Sequence, residues 1–429
     1  MSQNRTNHRA PSGQASQRLR AIVLACLLSL LLLPMVLADG CGVSASAGSD
    51  SLLDQQQAAS STGTVPPQFF GMVVKAAAAT PLVAVGSRRL WDAGVTWAAL
   101  EPQRGSFSWQ ALDAAVDAAE QQGEQVVLTL GMTPTWASSQ PTLPSAYGDG
   151  ATAMPSNMED WDAYVTAVAT RYAGRIRGYE IWNAPENPAY WSGDPGEMGI
   201  QTAELAEEAT GCIHSIDPYA LVVSPGLSPA GLGQFLAAGG GRSIDVVAGV
   251  LNLQGQAPEA AADQLRSLRA AMVGTAAAGK PLWNDQAAWT LPSTGLSEAT
   301  QAAWVARALL LNAGFGVARM HWYAWDDSVA GTLRLSSGTQ QPTAALLAYG
   351  VVEDWLSGNA MNGCSSTAEE LWTCQLVIGG IPAWVVWAAG NPVNASTYGA
   401  STETDLSGNV HSIGSAQTLP VGESPVLLQ

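Results

Sequence analysis

Between Phe69 and Gly358, short and nearly continuous apolar runs alternate with stretches whose apolar residues recur every three or four positions. The runs fall at 69–74, 88–92, 126–131, 176–182, 220–224, 244–251, 280–284 and 316–323. Apolar on both faces, they read as parallel strands buried on both sides. Trp109, Leu112, Val116 and Ala119 form one helical stripe, and Trp161, Tyr164, Val165, Val168 and Tyr172 another. Helical spacing also occupies 198–215, 258–275, 298–313 and 341–357. Eight strands alternating with helical patterns over about 290 residues predict an α/β fold, a (β/α)8 TIM barrel over 66–358. A doubly wound open sheet is the alternative, but no glycine-rich phosphate fingerprint follows the first strand. After Gly358 the pattern changes. Residues 371–390 and 408–429 read as short strands split by Gly, Asn and Pro, so 359–429 is expected to be a small all-β sandwich packed on the barrel.

The first 65 residues lack this alternation. Arg5, Arg9, Arg18 and Arg20 precede an uncharged run from Ala21 to Ala38, so 1–40 reads as a signal peptide or N-terminal anchor. Cys41 follows Ala38-Asp39-Gly40 and resembles the lipid-accepting cysteine of a bacterial lipoprotein; an uncleaved membrane anchor is the other reading. Residues 41–65, rich in Ser, Ala, Gln and Gly, read as a flexible linker. The expected location is secreted or cell-surface, in a bacterial envelope.

Composition narrows the function. With 47% hydrophobic and 12% charged residues, the chain is not intrinsically disordered. Eighteen basic against 35 acidic residues leave a net charge of −17, which repels phosphate backbones and argues against a nucleic-acid partner. Cys364 and Cys374 lie ten residues apart in a strand-like region, and an oxidising compartment lets them pair. Cys212 sits on a helical pattern and is expected to be buried and inert. The four His are scattered and no Cys/His cluster has metal spacing, so neither a metal nor another cofactor is expected.

Tryptophan is over-represented, with 16 Trp against 9 Tyr and 5 Phe. Trp91, Trp97, Trp136, Trp182, Trp191, Trp283, Trp289, Trp322 and Trp325 all fall at or just after the C-terminal ends of the expected strands. That end of a TIM barrel carries the ligand chemistry. Indole faces gathered there suit stacking on the C–H faces of sugar rings, and the expected partner is an oligosaccharide or polysaccharide.

The motifs then resemble a family. Arg89-Leu90-Trp91-Asp92 with Trp97, Gly105 through Trp109, and Leu128 through Ala137 are similar to strands two and three of clan A glycoside hydrolases. Tyr179-Glu180-Ile181-Trp182-Asn183 resembles strand four of that clan, and His321 through Asp327 strand eight. The likeness is to family-39-like xylosidases and cellulase-type barrels with a C-terminal sandwich, and it covers 66–429. It implies glycosidase chemistry by two carboxylates, an acid/base and a nucleophile about 5–5.5 Å apart. Substrate contacts are expected from Arg89, Trp97, Trp136, Asn183, Trp191, Trp322 and Trp325, with a sugar against Trp136 and Trp322 and, as the resemblance implies, Asn183 bonding a ring hydroxyl.

Both carboxylate positions are substituted. The acid/base Glu of the resemblance follows the strand-four Asn, where this chain has Ala184; the nucleophile Glu ends strand seven, where it has Gln286. Alanine has no proton to give, and a neutral amide is a poor nucleophile. Leu251 and Leu253 stand where the family places polar residues on strand six. The expected function is an exported, glycan-binding, hydrolytically impaired relative of glycosidases. The alternative is an active hydrolase or transglycosylase with relocated carboxylates, Glu186 and Asp285. Alternation along a strand predicts that Asp285 points away from Gln286.

Overall fold

The computed structural model describes residues 63–75, 81–251, 253, 255–289, 295–325, 335 and 341–429. The N-terminal signal or anchor, Cys41 and nearly all of the linker lie outside these residues, as do Asp326 and Asp327. The barrel runs β1 (Phe70–Val73), β2 (Ser87–Leu90), α1 (Trp97–Leu100), α2 (Gln110–Gln122), β3 (Gln125–Leu130), α3 (Met158–Arg171) and β4 (Ile176–Ile181). It continues through α4 (Met198–Ile216), β5 (Leu221–Val223), α5 (Pro229–Ala237), β6 (Val247–Gly249), α6 (Ala260–Met272) and β7 (Leu282–Ala287). α7 (Glu298–Gly314), β8 (Arg319–Trp322) and α8 (Ala344–Leu356) complete it.

The strands pair in parallel in the order β5-β4-β3-β2-β1-β8-β7-β6. Bridges from Val223 to Val246 and from Leu227 to Gly249 link the two ends, so the sheet nearly closes on itself. All eight expected strands are present, and the protein is an α/β barrel rather than an open sheet. Thr64 and Val65, placed in the linker by the sequence, already bridge to Ala360 and Ser357.

Helix starts follow capping chemistry. Asn157, Ser228, Ser297 and Thr343 each accept a backbone N–H from the first turn of α3, α5, α7 and α8. Two features depart from the expected pattern. Between Val73 and Ser87 no helix occurs among the described residues, because about a dozen residues suffice to cross to the next parallel strand. α5 has no counterpart in the sequence reading, since Gly231 and Gly233 weaken its helical signal. Packing rather than propensity keeps Gly231: a Cβ there would lie 2.5 Å from the Glu186 carboxyl carbon.

The barrel interior is layered. Val127, Val223, Val246, Ala248 and Trp283 fill a lower layer. Above it, toward the C-terminal mouth, the filling turns polar: Ser87, Arg89, Thr129, Glu180, Asp285 and His321 are all completely buried. Gly71 makes room for this layer, because a Cβ on it would meet His321 Cδ2 at 2.4 Å.

The sandwich comprises β9 (Ala360–Ser366), β10 (Leu371–Ile378), β11 (Ile381–Ala388), β12 (Val393–Ser396), β13 (Thr402–Thr404), β14 (Val410–Ser412), β15 (Thr418–Val421) and β16 (Val426–Leu428). Six strands form one sheet, ordered β14-β13-β16-β11-β10-β9, and β12 and β15 form the other. Val386, Ala388, Ala395, Leu419, Val421 and Leu428 fill the space between them. The opposite face of the large sheet, with Trp372, Leu376, Val385 and Trp387, joins the barrel core. There Trp387 Nε1 donates to Glu259 Oε1 at 2.8 Å.

Cys364 and Cys374 stand directly opposite each other on β9 and β10 and form a disulfide with Cα atoms 4.0 Å apart. Closing a loop of this length removes unfolded-state entropy worth about 2–3 kcal/mol. The double change Cys364→Ser and Cys374→Ser is therefore expected to lower stability by about that much in urea titrations. A midpoint unchanged by reductant would contradict it. Cys212 is free and half-buried on α4, its thiol 3.8 Å from the Asp162 carbonyl.

Candidate functional site

At the C-terminal ends of β2, β3 and β4, inward-facing side chains build a charged knot. Arg89 donates Nε to Glu180 Oε2 at 2.7 Å and Nη2 to Glu180 Oε1 at 2.9 Å. The same Nη2 also reaches Asn183 Oδ1 at 2.8 Å. Thr129 Oγ1 adds a 2.5 Å hydrogen bond to Glu180 Oε2. Arg89 and Asn183 are both fully buried, so Arg89 holds Asn183 in place from within the barrel. Burial works against the Arg89 charge, but the Glu180 carboxylate outweighs it and raises the guanidinium above its ordinary range.

β7 brings a second carboxyl to this layer. Its pairing with β8 slips between Asn284 and Ala287, which face Met320 and Trp322, so Asp285 and Gln286 together oppose His321. Such a bulge relaxes strict alternation at a strand end. Asp285 is fully buried, with Oδ1 3.6 Å from His321 Nδ1. Gln286 is half-buried, and its Oε1 is enclosed with no partner among the described residues. Burial pushes Glu180 up to about 7 and Asp285 up to about 6. Burial, with Arg319 and Arg89 nearby, holds His321 well below its usual value, so its imidazole is neutral. Ser87 Oγ lies 3.3 Å from His321 Nε2.

The loop after β4 is strained. Trp182 and Ala184 have φ of 65° and 38°, and Met132 after β3 has 63°. Non-glycine residues held there cost on the order of 1–3 kcal/mol each, and such strain gathers at functional sites. Ala184, half-buried, brings no ionisable group to this position. Glu186 is exposed and accepts from Ser228 N at 2.6 Å and Ser228 Oγ at 2.7 Å. It thereby places a negative charge at the N-terminus of α5.

Of the nine rim tryptophans, eight are buried and Trp136 is half-buried. Trp97 stacks on Tyr164 and donates to Glu101 Oε2 at 2.8 Å. Trp136 donates to the Glu101 carbonyl at 2.9 Å, with the Arg104 guanidinium 4.6 Å from its ring centroid. Trp191 packs edge-on against Trp182, and Trp322 stacks on Trp289 with centroids 5.2 Å apart. The Trp325 backbone N–H bonds the Val73 carbonyl. Trp283 points down, with Arg319 over its ring.

A half-buried tyrosine group stands at the mouth instead. Tyr147 and Tyr190 pack on Trp91, and beside them the Lys75 ammonium lies 3.2 Å from Asp92 and 3.5 Å from the Tyr323 hydroxyl. The sequence reading followed indoles and missed these phenols. Tyr147 and Tyr190, placed in the loops that follow β3 and β4, were the available signal.

Polar atoms without partners among the described residues gather around the strand ends. Arg89 Nη1, Asn183 Nδ2, both Asp285 oxygens, Gln286 Oε1, His321 Nδ1 and Trp322 Nε1 are all buried and unbonded. Native proteins leave few such atoms, and a cluster of them needs a chemical explanation.

These features define a (β/α)8 barrel with a C-terminal β-sandwich and buried Trp/Tyr clusters. Residues 92–192, about a quarter of the chain, match the model of glycosyl hydrolase family 10. The whole fold is similar to a family 39 glycoside hydrolase from Bacteroides cellulosilyticus WH2, at TM-score 0.65 and 15% identity over 85% of this chain and 80% of that one. A family 39 β-xylosidase from Caulobacter crescentus gives TM-score 0.60 at 16% identity, covering 86% of this chain and 97% of that one. A family 30 endoxylanase from Clostridium papyrosolvens C71 gives 0.60 at 12%, with the same coverage.

Proposed function

We propose that this chain is an exported, family-39-like carbohydrate-binding protein with impaired hydrolysis. The observation that carries the reading is the group of buried, unbonded donors and acceptors at the ends of β2, β4, β7 and β8. Hydroxyl groups donate and accept at once, so a sugar can satisfy Asn183 Nδ2, Trp322 Nε1 and Gln286 Oε1 together. The half-buried phenols of Tyr147, Tyr190 and Tyr323 offer the wet, apolar rim that sugar faces need. Ala184 and Gln286 supply neither the proton nor the nucleophile of a retaining reaction. Export is supported by the arginines before the apolar run at 21–38.

Glycan-array binding combined with tryptophan fluorescence titration tests the reading. Xylo-oligosaccharides are expected to perturb the emission, and Trp322→Ala to weaken binding about tenfold, the equivalent of about 1.4 kcal/mol. No binding on a broad array, together with an unaltered Trp322→Ala, would remove the reading.

A further inference from the structure

We infer that Asp92, just beyond β2, makes the mouth of the barrel a subsite for an uncharged sugar residue and sets its preference against acidic ones. The inference deepens the carbohydrate reading and rests on it. Lys75 lies just beyond β1, which pairs in parallel with β2, so the two side chains leave neighbouring strand ends. Asp92 Oδ2 is 3.2 Å from Lys75 Nζ, and the two side chains stay 12% and 32% exposed. The Lys75 ammonium also lies 3.5 Å from the Tyr323 hydroxyl and 5.9 Å from that ring's centroid. Buried Trp91 is the back wall. The rings of Tyr147 and Tyr190 pack on it with centroids 5.5 and 5.6 Å away, and stand 6.0 Å from each other.

This group suits hydroxyls. Tyr147, Tyr190 and Tyr323 are half-buried, each offering a ring face and a polar tip. Burial, with Tyr190, Asp92 and Tyr323 nearby, raises the Tyr147 phenol above its ordinary range, so its hydroxyl remains a donor. Lys75 only donates and Asp92 only accepts. Asp92 Oδ1 has no partner among the described residues, so the carboxylate has acceptor capacity to spare. Adjacent sugar hydroxyls answer both needs: one accepts from Lys75 while its neighbour donates to Asp92.

The charges decide the class of sugar. Asp92 matches Lys75, and deeper in the barrel Glu180 matches Arg89. The carboxylate of a uronic acid entering the mouth is drawn by Lys75 and repelled by Asp92 at nearly the same distance. It would give up its hydration with no net attraction in return, whereas a neutral sugar gives up none of that kind. The net charge of −17 adds a general repulsion of anions. Taking away the Asp92 charge makes the mouth more positive by one unit and shifts this balance toward acidic sugars, whatever else Lys75 touches.

The test is calorimetric titration of the full chain with two probes, a neutral xylo-oligosaccharide and the same backbone bearing one glucuronic acid. The readout is the ratio of neutral to acidic affinity in wild type, Asp92→Asn, Lys75→Gln and Trp322→Ala. The wild type is expected to prefer the neutral probe. Asp92→Asn should move the ratio about threefold to fivefold toward the acidic probe, the scale of one partly exposed charge pair, and Lys75→Gln should move it the other way. High salt should draw these ratios together. Trp322→Ala should weaken both probes alike and leave the ratio unmoved. A wild type that prefers the acidic probe, or a ratio unchanged by Asp92→Asn, overturns the inference while the carbohydrate reading stands. Binding of neither probe overturns both. Should Asp92→Asn not fold, the shift in Lys75→Gln decides the matter alone.

Discussion

Replacing Arg89 with methionine is expected to destabilise the protein by about 3–5 kcal/mol at pH 8, because it leaves the Glu180 carboxylate buried without its cation. Methionine fills much of the same volume, so the loss is electrostatic more than steric. The effect should shrink toward pH 5, where Glu180 can take up a proton and become neutral. Adding Glu180→Gln to Arg89→Met should recover much of the loss, since the uncompensated charge goes with it. Guanidinium unfolding of the two single variants and the double at pH 5 and 8 measures this. An equal cost at both pH values would show that Arg89 acts through packing.

The second large effect concerns chemistry. The wild type is expected to be silent on natural glycosides, and silent also on activated aryl glycosides, whose good leaving groups need little acid help. These probes forgive Ala184 but not Gln286, because the covalent step needs a carboxylate at the anomeric carbon. The double change Ala184→Glu with Gln286→Glu should raise turnover on natural substrates by about 10²-fold or more, the scale of general acid assistance. At φ of 38° the Ala184 backbone is as strained for alanine as for glutamate, so the position itself does not forbid the change. Leu251 and Leu253, both buried, bring no polar partner from beyond β6 and limit the gain.

The barrel was legible because most of its parallel strands, buried on both faces, write nearly continuous apolar runs, although β2 (Ser87–Leu90) and β7 (Leu282–Ala287) carry polar residues as well. α5 was not, because its two glycines mute the helical period and the contact that stabilises it, Glu186 on Ser228, joins distant segments. The disulfide was legible from the ten-residue spacing of Cys364 and Cys374 in a strand-like region. Tryptophan positions at the strand ends could be read, but whether an indole faces its neighbours or a ligand depends on packing that no local pattern encodes. Trp322 against Trp289 and Trp97 against Tyr164 illustrate this. The Asp285 environment was least legible of all. Strict alternation sets it opposite Gln286, whereas the bulge against His321 changes the register at that point.

The central claim is that the cleft holds carbohydrate without cleaving it, and NMR of a xylo-oligosaccharide mixed with the wild-type chain tests it most directly. One spectrum series reports binding through broadened sugar resonances and cleavage through new reducing-end anomeric signals. The account predicts broadening that Trp322→Ala diminishes, with no new anomeric signals over days. New anomeric signals that disappear in Glu186→Gln or Asp285→Asn would contradict it, and would identify a working pair of carboxylates.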